Sequence, residues 1–236
     1  MFGLFKKKPV NTFDKIRELL FGDVPLADWR PQDGKTHGEP WTSFESARAA
    51  LNRGDSKGAV EALRHVLGLP GLESRQCLQA WSGLRELGVQ PGADEAKRVH
   101  GVVLEVHLKE GLDTLAAYAD HTARYINHGG RLLVWEKADA PAIAGLIDGL
   151  IGAGQQIVNV LGPWDQARRP APLKRHARLN MLTASGLHFG EGPFDALSQD
   201  PMGGPIIAAG AGLMKALIEQ TSKASSIADF LIKSDH

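Results

Sequence analysis

Residues 102–136 read VVLEVHLKEGLDTLAAYADHTARYINHGGRLLVWE, and this stretch decides the fold. Val102, Leu104, Val106 and Leu108 alternate with Val103, Glu105 and His107, the two-residue period of a half-buried strand. Residues 109–111 form a turn, 112–119 a second strand, 120–121 a tight turn, 122–127 a third strand, 128–130 another turn and 131–136 a fourth strand. Turns this short join only antiparallel neighbours, because a parallel pair needs a crossover of about a dozen residues or more. The stretch therefore predicts a four-stranded meander.

Working outward toward the C-terminus, 140–161 reads as a helix that covers one face of the sheet, and 163–174, with three prolines, as a loop. Residues 177–183 and 187–190 form a hairpin around Ala184, Ser185 and Gly186. A helical turn follows at 193–197. A helix over 205–219 opens on a proline suited to its first turn, and a weaker amphipathic helix continues over 221–233.

Toward the N-terminus the period is helical. Phe13, Ile16, Leu19 and Leu20 mark a helix over 11–21 with Thr12 as its cap, and 22–40 collects prolines, glycines and acids as a linker or a loop lying on the body. Within 41–98, Thr42 or Ser43 caps a helix that Gly54 stops. Asp55 or Ser56 caps the next, a third spans 73–87 and a short fourth 93–99. The prediction is an α+β protein: an N-terminal helix and linker (1–40), a helical region (41–98) and an α+β domain (99–236). That domain has about six mostly antiparallel strands with helices packed on one face.

The stretch ARAALNRGDSKGAVEALRHVLGLP, residues 47–70, resembles one tetratricopeptide repeat. Ala50, Gly54, Ala59, Leu63, Leu67 and Pro70 fit its logic of two helices joined by a turn, small residues at their contact and a proline after the second. The resemblance covers 24 residues, without a second copy, and implies a protein-binding helix pair. A plain helical hairpin accounts for the same residues.

The 236 residues are 43% hydrophobic and 23% charged, which excludes a disordered or fibrous chain. Lys plus Arg and Asp plus Glu both number 27, so no global basic field draws the chain to nucleic acid or an anionic membrane. One cysteine excludes a disulfide framework and an all-cysteine metal cage. In MFGLFKKKP the apolar residues precede the lysines, the reverse of an export signal. That segment reads as a frayed terminus or a weak membrane-touching one. Residues 141–162 are the longest apolar stretch, but Asp148, Gln155, Gln156, Asn159 and five glycines make them a buried helix rather than a span. The expectation is a soluble cytoplasmic protein without a transmembrane segment.

Candidate ligand-binding residues follow from strand alternation. Glu105 and His107 project together. Arg124, Arg178, Asn180 and His188 join them if the polar faces of the strands coincide, making an anion or acid/base site closed by the 186–204 loop. In GLHFGEGP (186–193), His188 and Glu191 are a candidate base and orienting carboxylate between glycines that permit close approach. Residues 164–192 hold five basic and two acidic side chains. Arg168, Arg169, Lys174, Arg175 and Arg178 are candidates for contact with an anion, an acidic partner or, weakly, nucleic acid, although only Trp164 is present to stack a base. His121 and His128 end one strand about 20 Å apart, too far for one metal ion. Residues 200–205 open a helix, a weak anion site lacking the lysine and hydroxyl of a phosphate loop. Cys77 reads as a small buried hydrophobe.

No nucleophile elbow and no zinc-protease helix occurs. No metal and no cofactor is expected. The leading reading is a non-enzymatic, bacterial-type interaction or regulatory protein whose 41–98 helices dock a protein partner or pack on the sheet to build a groove. The alternatives are a small-molecule enzyme or ligand sensor on the polar sheet face, and a weak nucleic-acid binder through 168–178.

Overall fold

The computed structural model describes residues 12–31, 37–136 and 140–234, with side chains described from 15 to 220 within those limits. The segment 1–9 read as a possible membrane contact lies outside the described residues, as do the side chains of Thr12 and of 221–233. Eight helices and six strands follow one another: α1 (Thr12–Glu18), α2 (Trp41–Asn52), α3 (Ser56–Leu67), α4 (Ser74–Glu86), α5 (Ala93–Ala96), β1 (Val99–His107), β2 (Leu112–Tyr118), β3 (Ala123–Ile126), β4 (Leu132–Trp135), α6 (Pro141–Val160), β5 (His176–Thr183), β6 (Gly186–Pro193), α7 (Phe194–Gln199) and α8 (Gly203–Ser234).

All six strands form one antiparallel sheet in the order β4-β3-β2-β1-β5-β6. The meander supplies four neighbouring strands. α6 then carries the chain back across the sheet, so that β5 pairs with the free side of β1. The protein is thus α+β, as its strand period and turn lengths predict.

Register separates the two faces. Val102, Leu104, Leu115, Ala117, Leu179 and Met181 point to one side and pack under α6 and α8 with Ile147, Leu150, Ile157, Ile206, Leu213 and Leu217. Gly154 of α6 lies where a Cβ would stand 2.9 Å from Val102 Cγ2, so glycine sets the closeness of that contact. Among the described residues α6 is the one helix long and apolar enough to cross a membrane by length and composition. Its Ile143, Ile147, Leu150 and Val158 are buried.

The opposite face is covered as well. Val103, Ala116, Tyr118, Ile126 and Leu182 pack against Leu20 and Phe21, which follow α1, and against Leu78 of α4. A half-solvated polar face, expected from the alternation, is therefore absent over the centre of the sheet: 99–105 of β1 are buried on both sides. The chain then turns at Gly22, whose φ of +61° suits glycine, and continues with buried Val24, Leu26 and Trp29. These three join Phe44, Leu63, Val66, Ala80 and Leu84 in the core of the α2–α4 helices. Residues 22–31 thus lie on the body.

Local signals act where they are placed. Asp55 caps α3 by accepting from Gly58 N at 2.8 Å, and Glu73 with Gln76 makes a capping box at α4. α2 differs from expectation: it starts at Trp41, so Thr42 and Ser43 fall in its first turn, where Ser43 Oγ donates to Glu39 Oε2 at 2.7 Å.

Candidate functional site

Three of the six candidate ligand residues share one rung. Glu105 opposes Arg178 across β1–β5, and Arg178 opposes Glu191 across β5–β6. Arg178 donates to Glu191 Oε2 from Nε at 3.1 Å and Nη2 at 2.9 Å, and its Nη1 lies 3.6 Å from Glu105 Oε2. Arg17 of α1 completes the set, with its Nε donating to Glu105 Oε1 at 2.6 Å. Asn180 Nδ2 donates to Glu105 Oε2 at 3.2 Å, while its own Oδ1 is buried without a hydrogen-bond partner. Glu105 is 0% exposed and Arg178 2%. The charges answer one another, as buried charges must. This cluster holds α1 to the sheet and presents no open carboxylate.

The other three candidates do not join it. His107 stands two residues along on the same face, and its Nδ1 donates to the Pro172 carbonyl, 2.8 Å away. Arg124 shares the face but lies two strands from β1. It donates to the carbonyls of Ala123 and Trp135 and to Glu136 Oε1 at 2.8 Å, and burial lowers its guanidinium pKa. His188 is on the other face: it opposes Met181, which opposes Val102 in the α6-covered core. Its Nδ1 lies 3.0 Å from the Leu161 carbonyl, and burial pushes its imidazole pKa down. His188 and Glu191 are three residues apart on one strand and so point to opposite sides. They cannot serve as a base and its orienting carboxylate.

The basic cluster also divides. Arg168 pairs with Glu18 at 2.5 Å and Asp23 at 2.9 Å, stacks 3.9 Å over Phe21, and its guanidinium pKa is raised by those carboxylates against the effect of burial. Arg169 lies over Trp164 and Phe189 and 3.7 Å from Glu191. Lys174 and Arg175 are exposed, Arg175 at a φ of +63°. His121 pairs with Asp148 and His128 with Asp113, each at 3.0 Å. The start of α8 is capped by Asp200, which accepts from Met202 N and Gly203 N.

A second locality, not foreseen from the sequence, lies where the helical region meets the start of the sheet. A cavity of about 570 Å³ opens there. Leu67, Leu69, Leu72 and Trp81 line it together with Cys77, Glu95, Arg98, His100 and Asp120. His100 Nε2 is 3.0 Å from Glu95 Oε1, and one ligating atom each of Cys77, Glu95 and His100 lies within 4.8 Å of the others. Burial lowers the His100 pKa despite Glu95 and pushes the Cys77 thiol up to about 12. Cys77 thus faces a cavity with polar neighbours and is not solely a core filler. The three residues come from α4, α5 and β1. Glu95 and His100 lie five residues apart, but Cys77 stands 18 residues before Glu95 and no motif spacing marks the three as a set.

Comparison with family models, with curated proteins and with solved structures finds no match.

Proposed function

We propose that the chain is a non-enzymatic interaction or regulatory protein of bacterial type, acting in the cytoplasm, whose cleft between α3–α4 and the start of the sheet takes a protein segment. The carrying observation is that half-buried apolar side chains, Leu67, Leu69, Leu72 and Trp81, line one cavity together with Glu95 and Asp120. Apolar anchors inserted into a pocket dominate most protein interfaces, and a polar rim fixes their orientation. The matching partner segment presents one large apolar side chain beside a basic or hydrogen-bond-donating group. The likeness of 47–70 to a tetratricopeptide repeat supports the same reading. The mutual pairing of Glu105, Arg178 and Glu191 takes support from an acid/base site on the sheet face. The pairing of Arg168 takes it from a nucleic-acid surface.

Deleting 41–98 would expose Val24, Leu26 and Trp29, so point substitution is the cleaner test. Full-length chain, a Leu69→Asp variant and a Leu173→Asp control (Leu173 is 70% exposed and remote in sequence) serve as baits for native lysate. The expected result is a stoichiometric partner retained by the control and lost with Leu69→Asp. A partner retained by Leu69→Asp, or no stoichiometric partner at all, overturns the proposal.

A further inference from the structure

Three side chains from three separate elements converge at the floor of the α4–β1 cavity. They offer a sulfur, an imidazole nitrogen and a carboxylate oxygen within 4.8 Å of one another. We infer that Cys77, Glu95 and His100 form a binding site for a zinc-class divalent ion with one coordination position open to the cavity. Bond lengths of about 2.0–2.3 Å in a tetrahedral site place neighbouring ligand atoms about 3.3–3.8 Å apart. His100 Nε2 and Glu95 Oε1, at 3.0 Å, stand slightly closer than that and the three atoms span at most 4.8 Å, so binding an ion requires the side chains to adjust by a fraction of an ångström to about one ångström.

The donor set selects the metal. A thiolate disfavours the hard ions magnesium and calcium, and the mixed sulfur, nitrogen and oxygen set suits zinc or cobalt(II). Charge balances too: the Cys77 thiolate and Glu95 carboxylate together offset a doubly charged ion. On binding, the Sγ–H bond breaks, the Sγ–metal bond forms and the proton passes to bulk water; no electron is transferred. Three protein ligands leave the fourth tetrahedral position for a ligand from outside the chain.

The remaining polar groups lining the cavity define what occupies that position. Asp120 is committed elsewhere, Oδ2 accepting from Ser74 N at 2.7 Å and Oδ1 from Thr122 N at 3.0 Å, so it is not a fourth ligand. Arg98 lines the same space, and its cation favours water, hydroxide or a small anion there. The site shares the cavity and Glu95 with the docking reading, so a bound ion leaves Asp120 as the acidic group for a partner segment; the metal titration reads the chain alone and the bait experiment reads the partner.

The test is cobalt(II) titration of tag-free, chelator-stripped full-length chain, with zinc competition and thermal unfolding alongside. The expected result is one cobalt per chain with tetrahedral visible bands and a sulfur-to-cobalt charge-transfer band, displaced by zinc. Zinc is also expected to raise the melting temperature. Cys77→Ala removes the charge-transfer band, and His100→Ala weakens binding by more than the roughly 10–100-fold that outer-shell partners cost. Glu95 lies on a four-residue helix and is half-exposed, so Glu95→Gln keeps the fold and carries the test if the buried variants unfold; it too is expected to weaken binding. No cobalt spectrum, or a spectrum and affinity unchanged in Glu95→Gln and Cys77→Ala, overturns the inference. Either result leaves the docking proposal as it stands.

Discussion

Arg17 and Glu105 are 88 residues apart in the chain and meet in the interior, Arg17 Nε donating to Glu105 Oε1 at 2.6 Å. Through this pair the first described helix is fastened to the central strand. Glu105 stands between two guanidiniums, those of Arg17 and Arg178. Removing it takes from both the carboxylate that lies between them, leaving Arg17 with Glu18 and Arg178 with Glu191. Glu105→Ala is therefore expected to cost about 3 kcal/mol, the low end of the range for breaking a buried ion pair from one side, because each arginine keeps a second carboxylate. Arg17→Ala is expected to cost less, because Glu105 keeps Arg178 and Asn180, and to speed proteolysis within 12–31. Urea unfolding and limited trypsin digestion read both; an unchanged urea midpoint for Glu105→Ala would remove the cluster as the fastening.

Stability is expected to fall with acidification in two steps. The folded His188 pKa lies below its ordinary 6.5, so between the two values the unfolded chain binds more protons. Its contribution is complete above pH 6.5 and is lost as the pH falls through the folded value. Glu18 is opposed by burial but held below its ordinary 4.5 by Arg168 and Arg17, so its contribution is present above pH 4.5 and is lost below it. Urea midpoints across this range should show the first step weakened in His188→Gln and the second in Arg168→Ala. Parallel curves for wild type and His188→Gln would refute the first assignment.

Gly22 turns the chain from α1 into the helical core. At its φ of +61° an added Cβ would stand 2.7 Å from Leu78 Cβ and 2.9 Å from the Arg75 carbonyl oxygen. Both strain and overlap oppose a side chain, and neither neighbour is the tip of a flexible group. Gly22→Ala should lower stability by about 2 kcal/mol or more. Gly38→Ala, with nothing within 4 Å of the new methyl, should be near neutral. Equal melting temperatures for the two variants would contradict the packing described for residues 20–24.

The basic residues between 168 and 178 should separate by stability. Arg168→Ala removes the counter-charge of Glu18 and Asp23 and a stack on Phe21, and should destabilise measurably. Lys174→Ala is exposed and should change stability by less than about 0.5 kcal/mol. Arg175→Gly should raise stability by up to about 1 kcal/mol, because its left-handed backbone suits glycine. Thermal melts of the three variants rank them, and a destabilised Arg175→Gly would mean that its side chain makes a contact of its own.

The elements were legible because each is written locally. The period-two run through Glu105 marks β1, Asp55 marks the start of α3 and Pro141 the start of α6. The candidate site was legible only in part. Glu105 and Arg178 could be placed on polar strand faces, but their meeting depended on β5 pairing with β1 in one register. His188 was assigned to the wrong face because the pairing of β6 could not be read from its own residues.

Sequence alone determined the meander and the α+β class, because periodicity, caps and turn lengths act over a few residues; the helices it separates at 205–219 and 221–233 are one, α8. Tertiary structure alone decided that the segment following α1 covers the second face with Leu20 and Phe21, that Arg17 neutralises Glu105, and that Cys77, Glu95 and His100 share a cavity. Those contacts join segments separated by up to 88 residues. They follow from strand register and from which apolar surface covers which, and no local pattern encodes either.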